Sequence, residues 1–209
     1  MGLTSVKKIQ IAVFASGTGS NFEALADYFA NHFRAEIILL VCDQPGALVI
    51  EKAKKRGIET HLVECTRFKT KLEEKIETQV AQILFSKKVD LIVLAGYMRI
   101  LKTPLLHPFA GRIINLHPSL LPSFRGLNAI QQALQYGVKV TGCTVHLVDE
   151  EVDHGPILAQ VVVWVDEKDT LESLSKKIHE EEHQLLPKIV EQFIMEEPNL
   201  NRIKKWVKT

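Results

Sequence analysis

Short apolar runs alternate with stretches of helical periodicity along most of the chain. The β-rich runs occupy residues 9–15, 35–42, 59–64, 90–96 and 112–117. Apolar positions recur at the spacing of an amphipathic helix over residues 22–33, 47–56 and 69–87. Because strands that alternate with helices form parallel sheets, the pattern predicts a parallel sheet with helices on both faces.

The pattern changes after the fifth apolar run. A helical segment near 127–136 is followed by two long β-rich runs, 138–149 and 157–165, which a short turn separates. This arrangement predicts an antiparallel C-terminal strand pair, and residues 170–196 predict a last helix with Thr170 as a candidate N-cap. Since no repeat or low-complexity linker interrupts the chain, we expect one continuous α/β domain with a Rossmann-like, mostly parallel sheet.

Composition narrows the class of protein and its location. The 209 residues are 46% hydrophobic and 24% charged with a net charge of +1, which gives no reason to expect a nucleic acid or an acidic membrane as partner. No apolar stretch is long enough to span a bilayer, and the start, MGLTSVKKIQ, leads into a run too short for a signal peptide. Cys42, Cys65 and Cys143 form no CxxC pair, which favours a reducing cytoplasm. The basic segment NLNRIKKWVKT at 199–209 is expected on the surface.

A glycine-rich turn, SGTGSN, joins the first predicted strand to the first helix. Gly17 and Gly19 permit a tight turn and Ser20 can cap the helix, so free N–H groups and the helix dipole create an anion site. A dinucleotide fingerprint needs a third glycine where this chain has Phe22, although Asp43 resembles the ribose-binding acid of NAD enzymes. The turn therefore fits the phosphate of a mononucleotide-sized ligand better, and a glycine turn without a ligand stays an alternative.

Two polar residues end the apolar strand predicted over 112–117. Asn115 and His117 are two positions apart, so in a strand both side chains face the same side. Pro118 biases His117 away from helical angles, which holds both groups at the carboxyl end of the strand. Ligands of open α/β sheets bind at that edge. The plain alternative is a strand-ending loop whose polar groups only satisfy the backbone.

An acidic turn, DHGP, lies between the two C-terminal β-rich runs. Gly155 and Pro156 make a tight turn that presents Asp153, although such a turn is often only a solvated hairpin. If Asp153 meets His117, the carboxylate would orient the imidazole and favour its protonated form. With Asn115 nearby, this set is suited to stabilising an oxyanion at a carbonyl carbon. No GxSxG motif is present, which favours direct attack by the substrate's own nucleophile.

The stretch HEEEH at 179–183 matches the H-E-x-x-H pattern of zinc peptidases, with His179 and His183 one helical turn apart. Its surroundings are charged rather than apolar, and no downstream HxxGxxH motif supplies a third ligand. We therefore interpret it as a polar helix face with one residue that reaches a ligand, and we expect no metal.

Four motifs with a joint spacing resemble the phosphoribosylglycinamide formyltransferase family over nearly the whole chain. They are SGTGSN at 16–21, LAGYMRIL at 94–101, INLHPSLLPSFRG at 114–126 and GCTVHLVDEEVDHGPI at 142–157. The resemblance implies transfer of the formyl group of 10-formyltetrahydrofolate to the amine of glycinamide ribonucleotide in purine (IMP) biosynthesis. It also implies a ribonucleotide-binding half at about 8–110 and a catalytic and folate-binding half at about 111–196 of the single domain.

The resemblance further implies roles for individual residues. The catalytic trio matches Asn115, His117 and Asp153, and the ribonucleotide-binding positions match Gly19, Ser20, Asn21 and Glu182. The folate-binding positions match Lys71, Met98, Arg99, Ile100, Leu101, Asn115, Asp149, Glu150, Glu151, Val152 and Asp153. Lys71 stands where many members have an arginine, and lysine lacks the bidentate fork of a guanidinium. The implied partners are small molecules, without metal, nucleic acid or membrane, for a monomer or homodimer.

Three rival functions share parts of this pattern. Methionyl-tRNA formyltransferase has a similar catalytic core but an extra C-terminal domain, for which 209 residues leave no room. Formyltetrahydrofolate hydrolase adds an N-terminal regulatory domain, whereas the first strand predicted here begins at residue 9. A non-catalytic nucleotide-binding module would explain the glycine turn but not the set of Asn115, His117 and Asp153.

Overall fold

Seven strands form one sheet in the computed structural model of the chain, which describes residues 7–64 and 70–196. They are β1 (Ile9–Ala15), β2 (Ala35–Cys42), β3 (Glu59–Leu62), β4 (Leu91–Leu94), β5 (Ile113–His117), β6 (Val140–Leu147) and β7 (Ile157–Trp164). The strand order is β3-β2-β1-β4-β5-β6-β7. Strands β1 to β5 pair in parallel, and β6 pairs antiparallel with both β5 and β7. The predicted mostly parallel sheet with an antiparallel C-terminal pair is confirmed.

Six helices pack around this sheet within the described residues. They are α1 (Ser20–Phe29), α2 (Leu48–Lys55), α3 (Glu74–Ser86), α4 (Thr103–Leu106), α5 (Ala129–Tyr136) and α6 (Leu171–Glu196). In β1, Ile11 and Val13 belong to a core that includes residues of α1, α2 and α6, whereas Ala12 and Phe14 belong to a core that includes residues of α3 and α4. Because successive strand residues point to opposite faces, a strand buried on both sides appears in the sequence as an unbroken apolar run.

The starts of two helices test the predicted caps. Thr170 caps α6, because the Ser173 N–H donates to Thr170 Oγ1 at 3.2 Å and the Thr170 N–H donates to Ser173 Oγ at 3.0 Å. The prediction for Thr170 is therefore confirmed. Ser20 is instead the first residue of α1, and Gly19 occupies the N-cap position with a φ of 75° and no side-chain cap. The prediction of Ser20 as the cap is wrong, because the turn needs a left-handed residue there, which favours glycine.

Some element boundaries also differ from the predictions. α3 begins at Glu74 rather than at residue 69, because Lys71 pairs with Ile100 in an isolated parallel bridge before the helix. α1 ends at Phe29, short of the predicted end at 33. The sequence pattern does not predict α4, since four residues carry too little periodicity to mark a helix.

Two expectations concern residues beyond those described. Cys65 and the basic segment 199–209 lie outside 7–64 and 70–196, whereas Cys42 and Cys143 are buried free thiols. Within the described part of the chain, none of the helices is both long enough and apolar enough to cross a membrane.

Candidate active site

A cavity of about 470 Å³ lies at the carboxyl ends of β4 and β5. It is next to the point where the strand order reverses, since the chain builds outward from β1 to β3 on one side and from β4 to β7 on the other. Ligands of doubly wound sheets bind at such switch points. The cavity wall draws on both halves of the sequence, from Asn21 in α1 to Glu182 in α6.

The cavity brings together the three residues that the sequence predicts as catalytic. Asn115 and His117 both line it from β5. His117 Nδ1 lies 3.3 Å from Asp153 Oδ2, and Asn115 Nδ2 donates to Asp153 Oδ1 at 3.3 Å. Asn115 and Asp153 are 38 positions apart, so this contact is a product of the fold.

The loop after β6 holds Asp153 in position. Asp153 has a φ of 50°, and its Oδ2 accepts a hydrogen bond from the Gly126 N–H at 2.8 Å. Gly155 lets the loop return against β6, because a Cβ there would lie 1.9 Å from the Leu147 carbonyl oxygen. Burial acts to raise the pKa of Asp153, but the nearby His146 imidazole and the Gly126 N–H together hold this pKa below its usual value. Asp153 is therefore ionised at neutral pH.

Acceptor groups face both ring nitrogens of His117. Its Nε2–H donates to the Phe124 carbonyl oxygen at 2.9 Å, while Nδ1 faces the Asp153 carboxylate. Phe124 has a φ of 54°, which is uncommon for an aromatic residue. Burial lowers the pKa of His117 below its usual value, and the Asp153 carboxylate opposes this effect. The expected support of the imidazolium by Asp153 is thus present, but burial outweighs it.

A second histidine, His146, belongs to the cluster and is not among the predicted residues. It lies opposite Asn115 in the β5–β6 pair, so both side chains are on one face of the sheet. His146 Nδ1 donates to the Leu147 carbonyl oxygen at 2.8 Å, and its Nε2 lies 3.0 Å from Asn115 Nδ2 and 3.7 Å from Asp153 Oδ1. His146 and Asp153 together orient the Asn115 amide. The signal in the sequence was a polar residue inside the apolar run TVHLV.

Helices α1 and α6 form another wall of the cavity. Asn21 Nδ2 donates to Glu182 Oε2 at 2.8 Å, and His179 Nδ1 lies 2.8 Å from the same oxygen. Glu182 lines the cavity although it is only 2% exposed. The hydrogen bond to Glu182 raises the pKa of His179 above its usual value. Asn21 Oδ1 is buried without a partner in the described residues, so it can accept from a ligand.

The glycine loop, residues 16–21, packs against α2. A Cβ on Gly19 would lie 2.5 Å from Val49 Cγ2, and the Val49 N–H donates to the Gly17 carbonyl oxygen at 3.2 Å. Gly19 and Ser20 are not among the residues that line the cavity. They stand at the start of α1, where the predicted phosphate site would be.

The predicted folate-binding residues line the cavity, with the exception of Lys71. Those in the wall are Met98, Arg99, Ile100, Leu101, Asn115, Asp149, Glu150, Glu151, Val152 and Asp153. Lys71 lies beside this wall through its bridge to Ile100. The Arg99 side chain turns inward, and its Nε donates to Asp43 Oδ2 at 2.6 Å.

This ion pair bears on the dinucleotide alternative. Asp43 is 2% exposed, and its Oδ1 accepts a hydrogen bond from Ser16 Oγ at 2.5 Å. A carboxylate that is buried and bonded on both oxygens does not face a ribose. The dinucleotide interpretation therefore loses the acid that supported it.

The HEEEH stretch lies within α6, where His179, Glu182 and His183 share one side of the helix. The rings of His179 and His183 stack with their planes 13° apart and their centroids 6.4 Å apart. Within residues 7–64 and 70–196, no group of three or more histidine, cysteine, aspartate or glutamate side chains is arranged to hold a metal ion. In the described structure the stretch supplies the Glu182 carboxylate and its His179 partner to the cavity wall.

The fold and this cavity are those of an enzyme whose site is suited to reaction at a carbonyl carbon. The formyl transferase family matches residues 9–190, so the chain belongs to the formyl transferase family. The predicted family resemblance and the predicted enzymatic class are confirmed.

Its relatives in the family act in purine biosynthesis. The chain is 45% identical to phosphoribosylglycinamide formyltransferase of Bacillus subtilis, over 88% of this chain and 94% of that protein. It is 43% identical to the trifunctional purine biosynthetic protein adenosine-3 of Gallus gallus, over 89% of this chain but only 18% of that longer protein.

Solved structures of phosphoribosylglycinamide formyltransferases have the same fold. The enzyme from Bacillus halodurans has a TM-score of 0.83 and 45% identity, covering 88% of this chain and 95% of that one. The enzyme from Anaplasma phagocytophilum has a TM-score of 0.84 and 39% identity, covering 91% and 89%.

Proposed function

We propose that the enzyme transfers the formyl group of 10-formyltetrahydrofolate to the amine of glycinamide ribonucleotide in IMP biosynthesis. The observation that carries this proposal is the cluster of Asn115, His117 and Asp153 in one cavity wall. This cluster places a hydrogen-bond donor, an acid–base group and a carboxylate at the position where the carbonyl of the formyl group would react. The similarity to phosphoribosylglycinamide formyltransferases supports the choice of acceptor.

The two substrates would approach this cluster from different walls. The ribonucleotide would bind with its phosphate at the start of α1, where free N–H groups and the helix dipole favour an anion. Its contacts would be Gly19, Ser20, Asn21 and Glu182. The folate would bind along residues 98–101 and 149–153, with Lys71 giving one charged contact in place of an arginine fork.

In the proposed reaction the amine nitrogen attacks the formyl carbon, and the carbonyl oxygen becomes an oxyanion. The positive charge of protonated His117 stabilises this oxyanion, and so does the Asn115 amide once the N–H that it donates to Asp153 in the free enzyme turns to the oxyanion. Negative charge that develops beside His117 favours its protonated form, which offsets the effect of burial on its pKa. Asp153 helps to pass the proton of the amine to the folate nitrogen, whose bond to the formyl carbon breaks.

The proposed reaction also implies a class of partner, a location and an oligomeric state. We propose small-molecule substrates only, a cytoplasmic location, and a monomer or homodimer without a nucleic acid or membrane partner. The net charge of +1 gives no electrostatic support for a polyanionic partner.

Loss of the formyl group from the folate is expected to depend on the acceptor. Purified enzyme should consume 10-formyltetrahydrofolate only when glycinamide ribonucleotide is present, and formylated ribonucleotide should form in equal amount. The spectral change of the folate measures this directly. Rapid consumption without the acceptor would instead favour a hydrolase, and consumption with another amine would change the proposed acceptor.

The reaction is also expected to need no metal. Treatment with a strong chelator followed by gel filtration should leave turnover unchanged, because the chemistry uses only side-chain donors and a carboxylate. Metal content should be measured on the same sample by plasma mass spectrometry. Stoichiometric zinc, together with activity lost to the chelator and restored by zinc, would contradict this expectation.

A further inference from the structure

A buried carboxylate lies behind both proposed substrate walls. Asp43 follows β2, and its side chain is fully buried. Neither the glycine loop nor residues 98–101 is adjacent to it in sequence, since Ser16 is 27 positions before it and Arg99 is 56 positions after it. Asp43 nevertheless contacts both segments. It is the point at which the two walls meet inside the protein.

The contacts of Asp43 divide between its two oxygens. Oδ1 accepts from Ser16 Oγ at 2.5 Å, so one oxygen is bonded to the first residue of the glycine loop. Oδ2 accepts from Arg99 Nε at 2.6 Å and from Gln44 Nε2 at 3.0 Å. Charge-assisted hydrogen bonds of this length are stronger than neutral ones, particularly where water is excluded.

The Ser16 hydroxyl closes the network from the other side. Its Oγ accepts from the Met98 N–H at 2.9 Å, and the Ser16 N–H donates to the Gly96 carbonyl oxygen at 3.1 Å. The residue that begins the glycine loop is thus bonded both to Asp43 and to the segment after β4. A displacement of either wall changes the contacts of the same hydroxyl.

The contacts of Arg99 with Asp43 and of the Met98 N–H with Ser16 hold residues 98–101 in place. Met98 and Ile100 are 55% and 36% exposed, whereas Arg99, between them, is 8% exposed and its side chain pairs with Asp43. Removing one partner of such a pair leaves a buried charge without compensation, which is strongly destabilising. The position of the exposed neighbours therefore depends on the buried pair.

We propose that Asp43, through Ser16 and Arg99, is a positioning residue that couples the binding of the two substrates. This inference rests on the proposed function, in which the glycine loop holds the ribonucleotide and residues 98–101 hold the folate. A ligand on either wall restricts the shared network, so less conformational entropy is left to lose when the second ligand binds. The coupling is reciprocal, so each ligand raises the affinity for the other by the same factor.

Calorimetric titration tests the coupling directly. The dissociation constant of glycinamide ribonucleotide is measured with and without a saturating folate analogue that cannot release its formyl group. We expect the analogue to tighten ribonucleotide binding at least about fivefold in the unaltered enzyme. In Ser16→Ala, which removes only the shared hydroxyl, the analogue should change the dissociation constant of the ribonucleotide by less than about twofold. Asp43→Asn should act in the same direction, and if it fails to fold, Ser16→Ala decides.

The matched control is Asp90→Asn. Asp90 accepts a hydrogen bond from the Gln10 N–H at 2.9 Å, at the opposite edge of the same strands, so removal of its charge tests general weakening of the sheet. Asp90→Asn should leave the coupling factor unchanged even if it lowers the melting temperature. An unaltered enzyme without coupling, or full coupling in Ser16→Ala, would overturn the inference. If the unaltered enzyme bound neither ligand, the proposed function itself would fail.

Discussion

Replacing Asn115 by alanine is expected to lower turnover by at least about 10²-fold, with a smaller change in apparent substrate binding. The reason is that the amide acts on charge that develops in the transition state rather than on the bound substrates. Its orientation is already set by His146 and Asp153, at 3.0 Å and 3.3 Å from Nδ2. Steady-state measurement of kcat and of both KM values separates the two effects.

A neighbouring residue supplies the control for this variant. Asn128 also lines the cavity and has a φ of 58°, so Asn128→Gly removes an amide side chain without straining the backbone. We expect near-normal turnover from Asn128→Gly. Near-normal turnover with weakened binding in Asn115→Ala would make Asn115 a substrate-positioning residue and would falsify its role in transition-state stabilisation.

The His117–Asp153 pair should show the second large effect. His117→Ala is expected to lower turnover by about 10²–10⁴-fold, as is typical for loss of a general acid–base group. Asp153→Asn should reduce activity at neutral pH and shift the pH profile. Burial already lowers the pKa of His117, and Asp153 is the largest influence that opposes it. Without this carboxylate the pKa falls further, so the protonated fraction at neutral pH decreases.

The direction in which the pH profile of Asp153→Asn moves can be measured directly. Turnover that needs imidazolium falls as pH rises through the pKa of His117, so the falling limb of the Asp153→Asn profile should move to lower pH. Activity should recover in part on acidification, within the range where circular dichroism shows folded protein. The double variant with His117→Ala should be little worse than His117→Ala alone, because the two residues act as a unit. Multiplicative losses, or an unmoved profile, would contradict the coupled mechanism.

Local patterns in the sequence were sufficient to predict the sheet and to single out Asn115, His117 and Asp153, which the structure brings together. The apolar runs of the strands reflect burial on both faces, and the two-residue spacing of Asn115 and His117 put them on one side of β5. The acidic turn at Asp153 was recognisable from Gly155 and Pro156, and the structure adds that a Cβ on Gly155 would lie 1.9 Å from the Leu147 carbonyl oxygen. Each of these features depends on neighbours in sequence or on a repeating period.

Features that depend on distant contacts were missed or misassigned. Asp43 resembled a ribose-binding acid because it follows the second strand, and no local signal joins it to its partner Arg99, which is 56 positions away. His146 was overlooked because its role follows from the antiparallel register that places it opposite Asn115. The start of α3 was placed too early because the pairing of Lys71 with Ile100 competes with helical periodicity.

The hydrogen bond between Asn21 and Glu182 joins α1 to α6, whereas Asn115 and His117 belong to β5 and Asp153 to the loop after β6. The residues proposed to bind the acceptor therefore lie on different elements from those proposed to take part in formyl transfer. Substitutions on the helices would change which amine is admitted without moving the strand ends. In the proposed function, acceptor choice and reaction chemistry therefore depend on different elements, so a new amine would be accommodated by substitutions on two helices around an unchanged transfer centre.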